Sequence, residues 1–233
     1  MKKSPLVFVV CLVVFALLVG ACDQIKEEVN QNIQKKEKFT YDLTEDWVPL
    51  LAVEYNDYQL NAVCYTDAFS FDQLLADQPW WNSAKQHIDE VEVQNLVYRL
   101  SKNSAAGDGD LLFYVFMENE LPAALPLPID PSVLADIFGD QPLAFVNPAD
   151  LPLKNLVAIL PITAGLNVPD WTDVNWNSGG KDQLEQLMLD FDQPFSFCIS
   201  VNLPPLTITD PNAIDPQVWM KLRSTINVTL VPL

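Results

Sequence analysis

A single histidine, His87, and only seven glycines occur in the 233 residues of this chain. A histidine-based triad would have to use His87, and no Gly-x-Ser-x-Gly nucleophile elbow accompanies it. Zinc would need His87 to meet Cys64 and Cys198 as reduced thiols, and neither Cys-x-x-Cys nor His-Glu-x-x-His spacing occurs. His87 is therefore read as a surface or loop residue, and no metal site is expected. The few glycines form no phosphate-cradling loop; Gly107-Asp108-Gly109-Asp110 reads as a turn. Basic residues are scarce too, 13 Lys and Arg against 31 Asp and Glu, for a net charge of −18. Such a field repels nucleic acid and anionic membrane surfaces, the covalent anchor apart, so no nucleic-acid partner is expected.

What is plentiful points to a folded, β-rich domain. Residues of hydrophobic type make up 49% of the chain, too many for disorder. Eighteen prolines fall largely between apolar runs, as in Leu125-Pro126-Leu127-Pro128 and Leu203-Pro204-Pro205. Proline cannot donate to a sheet ladder, so these mark strand ends, edges and loops. The acidic pairs Asp108/Asp110, Asp190/Asp192 and Asp210/Asp215 offer oxygen ligands of the kind calcium takes, but none matches an EF-hand loop. No cofactor is expected from them.

The N-terminus carries the most specific signal. Lys2 and Lys3 precede an uncharged stretch over residues 5–21 that is rich in Val, Leu and Phe, and Gly20 and Ala21 stand just before Cys22. This is the three-part layout of a secretory signal. The alternative, an uncleaved anchor, sits at the lower length limit for a bilayer-spanning helix, and no Lys/Arg cluster follows to stop transfer. Val19-Gly20-Ala21-Cys22 resembles the lipobox of bacterial lipoproteins. The resemblance implies diacylglycerol on the Cys22 sulfur, cleavage before Cys22 and acylation of the new amino group. It implies an exported protein held on a bacterial membrane by lipid. Asp23 resembles the inner-membrane retention signal of enterobacterial lipoproteins. Cys11 would leave with the signal peptide.

This divides the chain into a signal peptide (1–21), the lipidated cysteine with a polar spacer (22–38) and one domain (39–233). The mature part would hold 11 basic residues against 31 acidic ones. Ile25, Val29 and Ile33 recur at helical spacing in the spacer, as in a short amphipathic helix. Export makes a Cys64–Cys198 disulfide possible, with two buried free thiols as the alternative.

Along the domain, Phe39, Tyr41 and Leu43 alternate as in a half-buried strand. Residues 72–88 suit a short helix or packed loop. Residues 91–101 and 110–118 read as a long hairpin around the polar turn 102–109, with a bulge near Asn95-Leu96. Ser132 to Phe138 suits a helical turn capped by Ser132. Leu156 to Ile162 reads as a strand, and 180–192 as the best helix, with Leu184, Leu187, Met188 and Phe191 on one face. Strands follow from Phe195 and around Ile226, Val228 and Leu230. The expected fold is mainly β, a two-sheet antiparallel sandwich of immunoglobulin-like or Greek-key type with one or two short helices. The pattern is similar to that of exported β-sandwich lipoproteins and transfers no functional residue.

The function expected from these features is that of a lipid-anchored interaction or structural domain without catalysis. Its partners would be the membrane, through the lipid, and an envelope protein or ligand. A ligand-binding module is the alternative, for an apolar molecule or for sugar, with Trp171 and Trp176 as aromatic platforms among polar neighbours. An envelope hydrolase is a third class, and the near absence of histidine and nucleophile motifs weighs against it.

Overall fold

Phe39 and Tyr41 alternate with Lys38, Thr40 and Asp42, a pattern that builds one edge of a sheet. In the computed structural model, which describes residues 35–44, 47–76, 81–127, 129–139 and 142–231, these residues form β1 (Lys35–Asp42). β1 pairs along its whole length with β14 (Val218–Leu230). β14 pairs in turn with β6 (Ile88–Ser101), and β6 with β10 (Val168–Asp173). β2 (Val48–Leu50) continues the β1 side of β14. All these pairings are antiparallel, giving a five-stranded sheet.

The second sheet has six antiparallel strands. In spatial order they are β11 (Asn175–Trp176), β9 (Leu156–Ile162), β7 (Gly109–Met117), β12 (Phe195–Asn202), β5 (Ala62–Tyr65) and β8 (Leu143–Phe145). A small third sheet joins β13 (Leu206–Ile208), β3 (Val53–Tyr55) and β4 (Tyr58–Leu60). β3 and β4 are linked by Asn56 and Asp57, both at positive φ. Two left-handed residues are what a type I′ hairpin turn requires, and Asn and Asp tolerate them best.

The core lies between the two large sheets. Val91, Val93, Leu96, Tyr98 and Leu100 of β6 and Met220, Leu222, Ile226 and Val228 of β14 meet Leu111, Phe113 and Val115 of β7 and Phe195, Phe197 and Ile199 of β12. The six-stranded sheet is also covered on its other face. There β12 presents Ser196, Cys198 and Ser200, small side chains that let another layer approach closely. Val146 and Leu151, from the proline-rich 121–155 segment, pack there with Tyr114, Phe116 and Cys198.

Among the described residues, four short helices complete the fold: α1 (Phe71–Leu75), α2 (Trp81–Ala84), α3 (Pro131–Phe138) and α4 (Gly180–Leu189). α4 buries Leu184, Leu187 and Met188 in the main core. Its Glu185 carboxylate accepts from the Val93 N–H at 2.8 Å. That donor is on the side of β6 where β10 no longer reaches, since β10 pairs only with Val97, Tyr98 and Leu100.

The chain is mainly β, as the alternation predicts, but several local expectations are corrected. Residues 91–101 and 110–118 are not a hairpin: β6 and β7 belong to different sheets and face each other across the core. The connection arches between layers instead of turning within one. Asn103 holds it there, donating from Nδ2 to the carbonyls of Thr163 and Leu166 and from its N–H to Asn167 Oδ1. The expected bulge in β6 is present, at Gln94 beside Asn95, where pairing with β14 shifts between Asn95 and Val93. Asp130, not Ser132, caps α3: its carboxylate accepts from the Ser132 N–H and hydroxyl, with Pro131 as the first helical residue. α4 ends at Leu189 rather than 192. The first strand starts at Lys35, so residues 35–37 of the expected spacer helix are strand. Residues 22–34 of the expected spacer lie outside the described residues, as does the expected signal segment.

Candidate functional site

Strand alternation fixes which side chains leave the core. On β14, Val218, Met220 and Leu222 point in, so Trp219, Lys221 and Arg223 line the outer face. Register then places Arg99 of β6 opposite Lys221, and Val97 opposite Arg223. Asp42 of β1 is opposite Arg223 on the other side. Trp171 comes from β10, and Trp47 from the residue before β2. The chain has only two arginines, and both guanidiniums stack on Trp171: Arg223 at 4.2 Å from the ring centroid and Arg99 at 4.6 Å. Lys102 lies 4.6 Å over Trp219, and Lys221 5.8 Å over Trp47. Three of the six tryptophans thus carry four cations on one sheet face of an acidic protein.

Electrostatics within this face are uneven. Asp42 holds Arg223 in a fork, with Nε to Oδ1 at 2.5 Å and Nη2 to Oδ2 at 3.1 Å. That carboxylate pushes the Arg223 guanidinium above its usual range, so it stays charged. Arg99 is treated differently. Its Nε is buried without a hydrogen-bond partner among the described residues. Arg99 and Lys221 are like charges placed directly across a ladder, an arrangement that disfavours the folded state by up to about 1 kcal/mol. Stacking on indole partly offsets this. The arrangement is chemically suited to holding anionic oxygens against an aromatic surface.

The expected platforms do not converge. Trp171 is in the five-stranded sheet and Trp176 in the six-stranded one. Between them the chain crosses from sheet to sheet at buried Val174, whose N–H donates to the Leu96 carbonyl. Trp176 packs against the core, and the Trp171 ring carries guanidiniums.

Cys64 and Cys198 are directly opposed on β5 and β12, with a bond between their sulfurs and Cα atoms 4.0 Å apart. The Val201 N–H donates to the Asn61 carbonyl. Counting back from that hydrogen-bonded pair, 198 and 64 fall at a non-hydrogen-bonded position, where side chains are closest. His87 ends a short 3-10 turn at the start of β6. Of the acidic pairs, Asp108 accepts from the Ala164 N–H of a distant loop, and Asp210 from the Asn212 N–H and amide within its own turn. Among the described residues, no three His, Cys, Asp or Glu side chains converge as a metal group would.

Clefts also lie elsewhere among the described residues. One, of about 440 Å³, runs between α3, β8 and the 124–129 segment, and every residue lining it is apolar or glycine. Another, of about 220 Å³, is lined by Phe116, Glu120, Asp150, Lys154 and Asn155 among others. A third, of about 190 Å³, lies beside α4, with Phe116, Glu120, Asn155, Gln183 and Gln186 in its lining. Asn155 is 4% exposed; its Nδ2 donates to the Val115 carbonyl, and its Oδ1 has no partner among the described residues.

Sequence reasoning missed the cation–aromatic face because four separate segments supply it. One signal was available. Trp219, Lys221 and Arg223 share the outward phase of an alternating strand in a chain short of cations.

No family model matches the chain, and no curated protein matches it. Solved structures to which the chain is similar include that of Desmodium yellow mottle tymovirus (13% identity, 87% of this chain and 84% of that one, TM-score 0.32). The Cocksfoot mottle virus structure shares 13% identity over 86% of this chain and 98% of that one, with TM-score 0.26. The decameric BFDV capsid protein shares 8% identity over 84% and 95%, with TM-score 0.25. Likeness at this level carries no argument about what this chain does.

Proposed function

We propose that this chain is an exported bacterial lipoprotein, acylated on Cys22, whose β-sandwich works by binding through its surface and not by catalysis. The observation that carries the binding half is the outer face around Trp171, where both arginines of a strongly acidic chain are collected. Two features support the exported half. Val19-Gly20-Ala21-Cys22 ends an apolar leader, and the Cys64–Cys198 bond suits an oxidising compartment. The test is metabolic labelling with palmitate and cell fractionation of wild type and Cys22→Ser. Wild type should take up label and fractionate with membranes; Cys22→Ser should do neither in the same processed form. An unlabelled wild type would overturn the reading.

A second reading rests on the apolar cleft at α3 and β8. Its lining suits a hydrocarbon chain, and its volume lies within the range of small-molecule sites. Displacement of a fluorescent fatty acid by oleate, lost in Leu134→Lys, is the measurement that would favour it.

A further inference from the structure

We propose that the outer face of the β1–β14–β6–β10 sheet is the surface on which the tethered domain lies against an anionic bilayer. This rests on the lipid-anchor reading and adds to it an orientation and a lipid preference.

Charge is the first argument. Beside Arg99, Lys102, Lys221 and Arg223, β1 adds Lys36 and Lys38, exposed and opposite Thr229 and Asn227. Six of the chain's 13 cations therefore lie on or beside one sheet face. The carboxylates sharing it by register are Asp42, Asp173, Glu90 and Glu92. Asp42 is tied to Arg223, while Glu92 and Glu90 accept from Asn227 and Thr229. Among the described residues, six cations share this face with four carboxylates, in a chain whose net charge is −18.

The aromatics are the second. Trp47, Trp171 and Trp219 are all half-buried, with cations layered over them. Amphipathic rings beside Lys and Arg are what the headgroup level of a bilayer favours. An anionic leaflet supplies phosphate oxygens for the guanidiniums and ammoniums, including the unpartnered Nε of Arg99.

Reach is the third. β1 is the edge strand of this same sheet, and the chain from Cys22 enters it at Lys35. Twelve residues separate the two. That length spans at most about 40 Å, so the bilayer is the nearest large anion and is held at high effective concentration.

The test uses the acylated full-length protein, reconstituted into vesicles of phosphatidylcholine alone or mixed with phosphatidylglycerol, with brominated acyl chains as tryptophan quenchers. Quenching should be stronger in the anionic vesicles and should fall with added salt. Arg99→Gln/Lys221→Gln should lower the docked-to-undocked ratio by about tenfold or more, since each lost cation near an anionic surface weakens binding about fivefold. Lys36→Gln/Lys38→Gln, exposed on β1, should act in the same direction. Lys154→Gln/Lys181→Gln, off this face, should change nothing. Equal quenching in both lipids, or no effect of the four face substitutions on protein that still floats with vesicles, would overturn the proposal and leave the anchor standing. Protein that floats with neither vesicle lacks the anchor, and the proposal falls with it. Binding of soluble polyglutamate to this face, without bilayer quenching, would assign it to an acidic protein partner and overturn the bilayer.

Discussion

Cys64 and Cys198 join two neighbouring strands at a buried, non-hydrogen-bonded position and are separated by 134 residues of chain. A cross-link over that span removes much unfolded-state freedom, by about 4 to 5 kcal/mol in the loop-entropy model. Cys64→Ala/Cys198→Ala should therefore lose about 2 to 5 kcal/mol in urea unfolding, the range seen when native bridges are removed. Thiol counting gives an independent check. With Cys22 thioether-linked, the denatured protein should show no free thiol before reduction and two after it. An unchanged unfolding midpoint in the variant would show that the bridge constrains little.

Asp72 is a meeting point for α1 and α2. Its carboxylate accepts from Trp81 Nε1 at 2.6 Å and from Lys85 Nζ at 2.7 Å. The Lys85 hydrogen bond, then that from Trp81, lowers its pKa below the ordinary 3.8. A carboxylate depressed in the fold adds stability that is fully present above its unfolded value. The contribution disappears as pH falls from about 4 through the folded value. Asp72→Asn should flatten this part of the acid limb of the stability profile. It should also lower the neutral-pH melting temperature modestly, because the pair is partly exposed and screened. Thermal melts of both proteins from pH 3 to pH 7, with about one unit between points, would show the difference. Parallel curves would mean that Asp72 is not the titrating group.

Gly179 and Gly180 stand together at the start of α4 for different reasons. Gly179 holds φ +78° with open space around it, so Gly179→Ala costs about 1 to 2 kcal/mol of backbone strain. Gly180 has ordinary φ, but a Cβ there would lie 2.1 Å from the Val157 carbonyl oxygen. Backbone cannot yield as a side chain would, so Gly180→Ala must push α4 off β9. The cost should be larger, about 3 kcal/mol or more, because Leu184, Leu187 and Met188 lose their core contacts. Near-equal losses for the two variants in chemical unfolding would contradict this account.

Local alternation carried much of the fold. Leu156–Ile162 is strand β9 at both ends, and Ile226 and Val228 face the core as their phase requires. What alternation cannot encode is the partner. Val93 and Phe113 each read as inward residues of a strand, and a polar turn between them suits a hairpin. In the fold the two strands go to opposite sheets, and their connection is held by Asn103 against the distant 163–167 loop. The same limit hid the binding face, since Arg99, Trp171 and Arg223 share no local sequence and meet through register alone. Trp171 and Trp176 show the converse: nearness in sequence suggested a shared site, and the crossing at Val174 separates them.

Trp171 is where the energetic reality of that face can be measured. Val97 lies on the same outer face by register, yet is only 8% exposed, so something covers it from outside. Removing the indole with Trp171→Ala should cost about 2 kcal/mol, less than for a fully buried tryptophan because the ring is half-exposed. Double-mutant cycles with Arg99→Gln and with Arg223→Gln separate the stacking from simple cover. Each should show a coupling of about 0.5 to 1 kcal/mol. The Arg223 coupling should be the more robust to salt, because Asp42 already fixes that guanidinium in place. The Arg99 coupling should weaken more in salt, as its Nε has no partner among the described residues to hold the side chain. Zero coupling in both cycles would reduce the arrangement to proximity, and the outer face would lose its claim to be a built site.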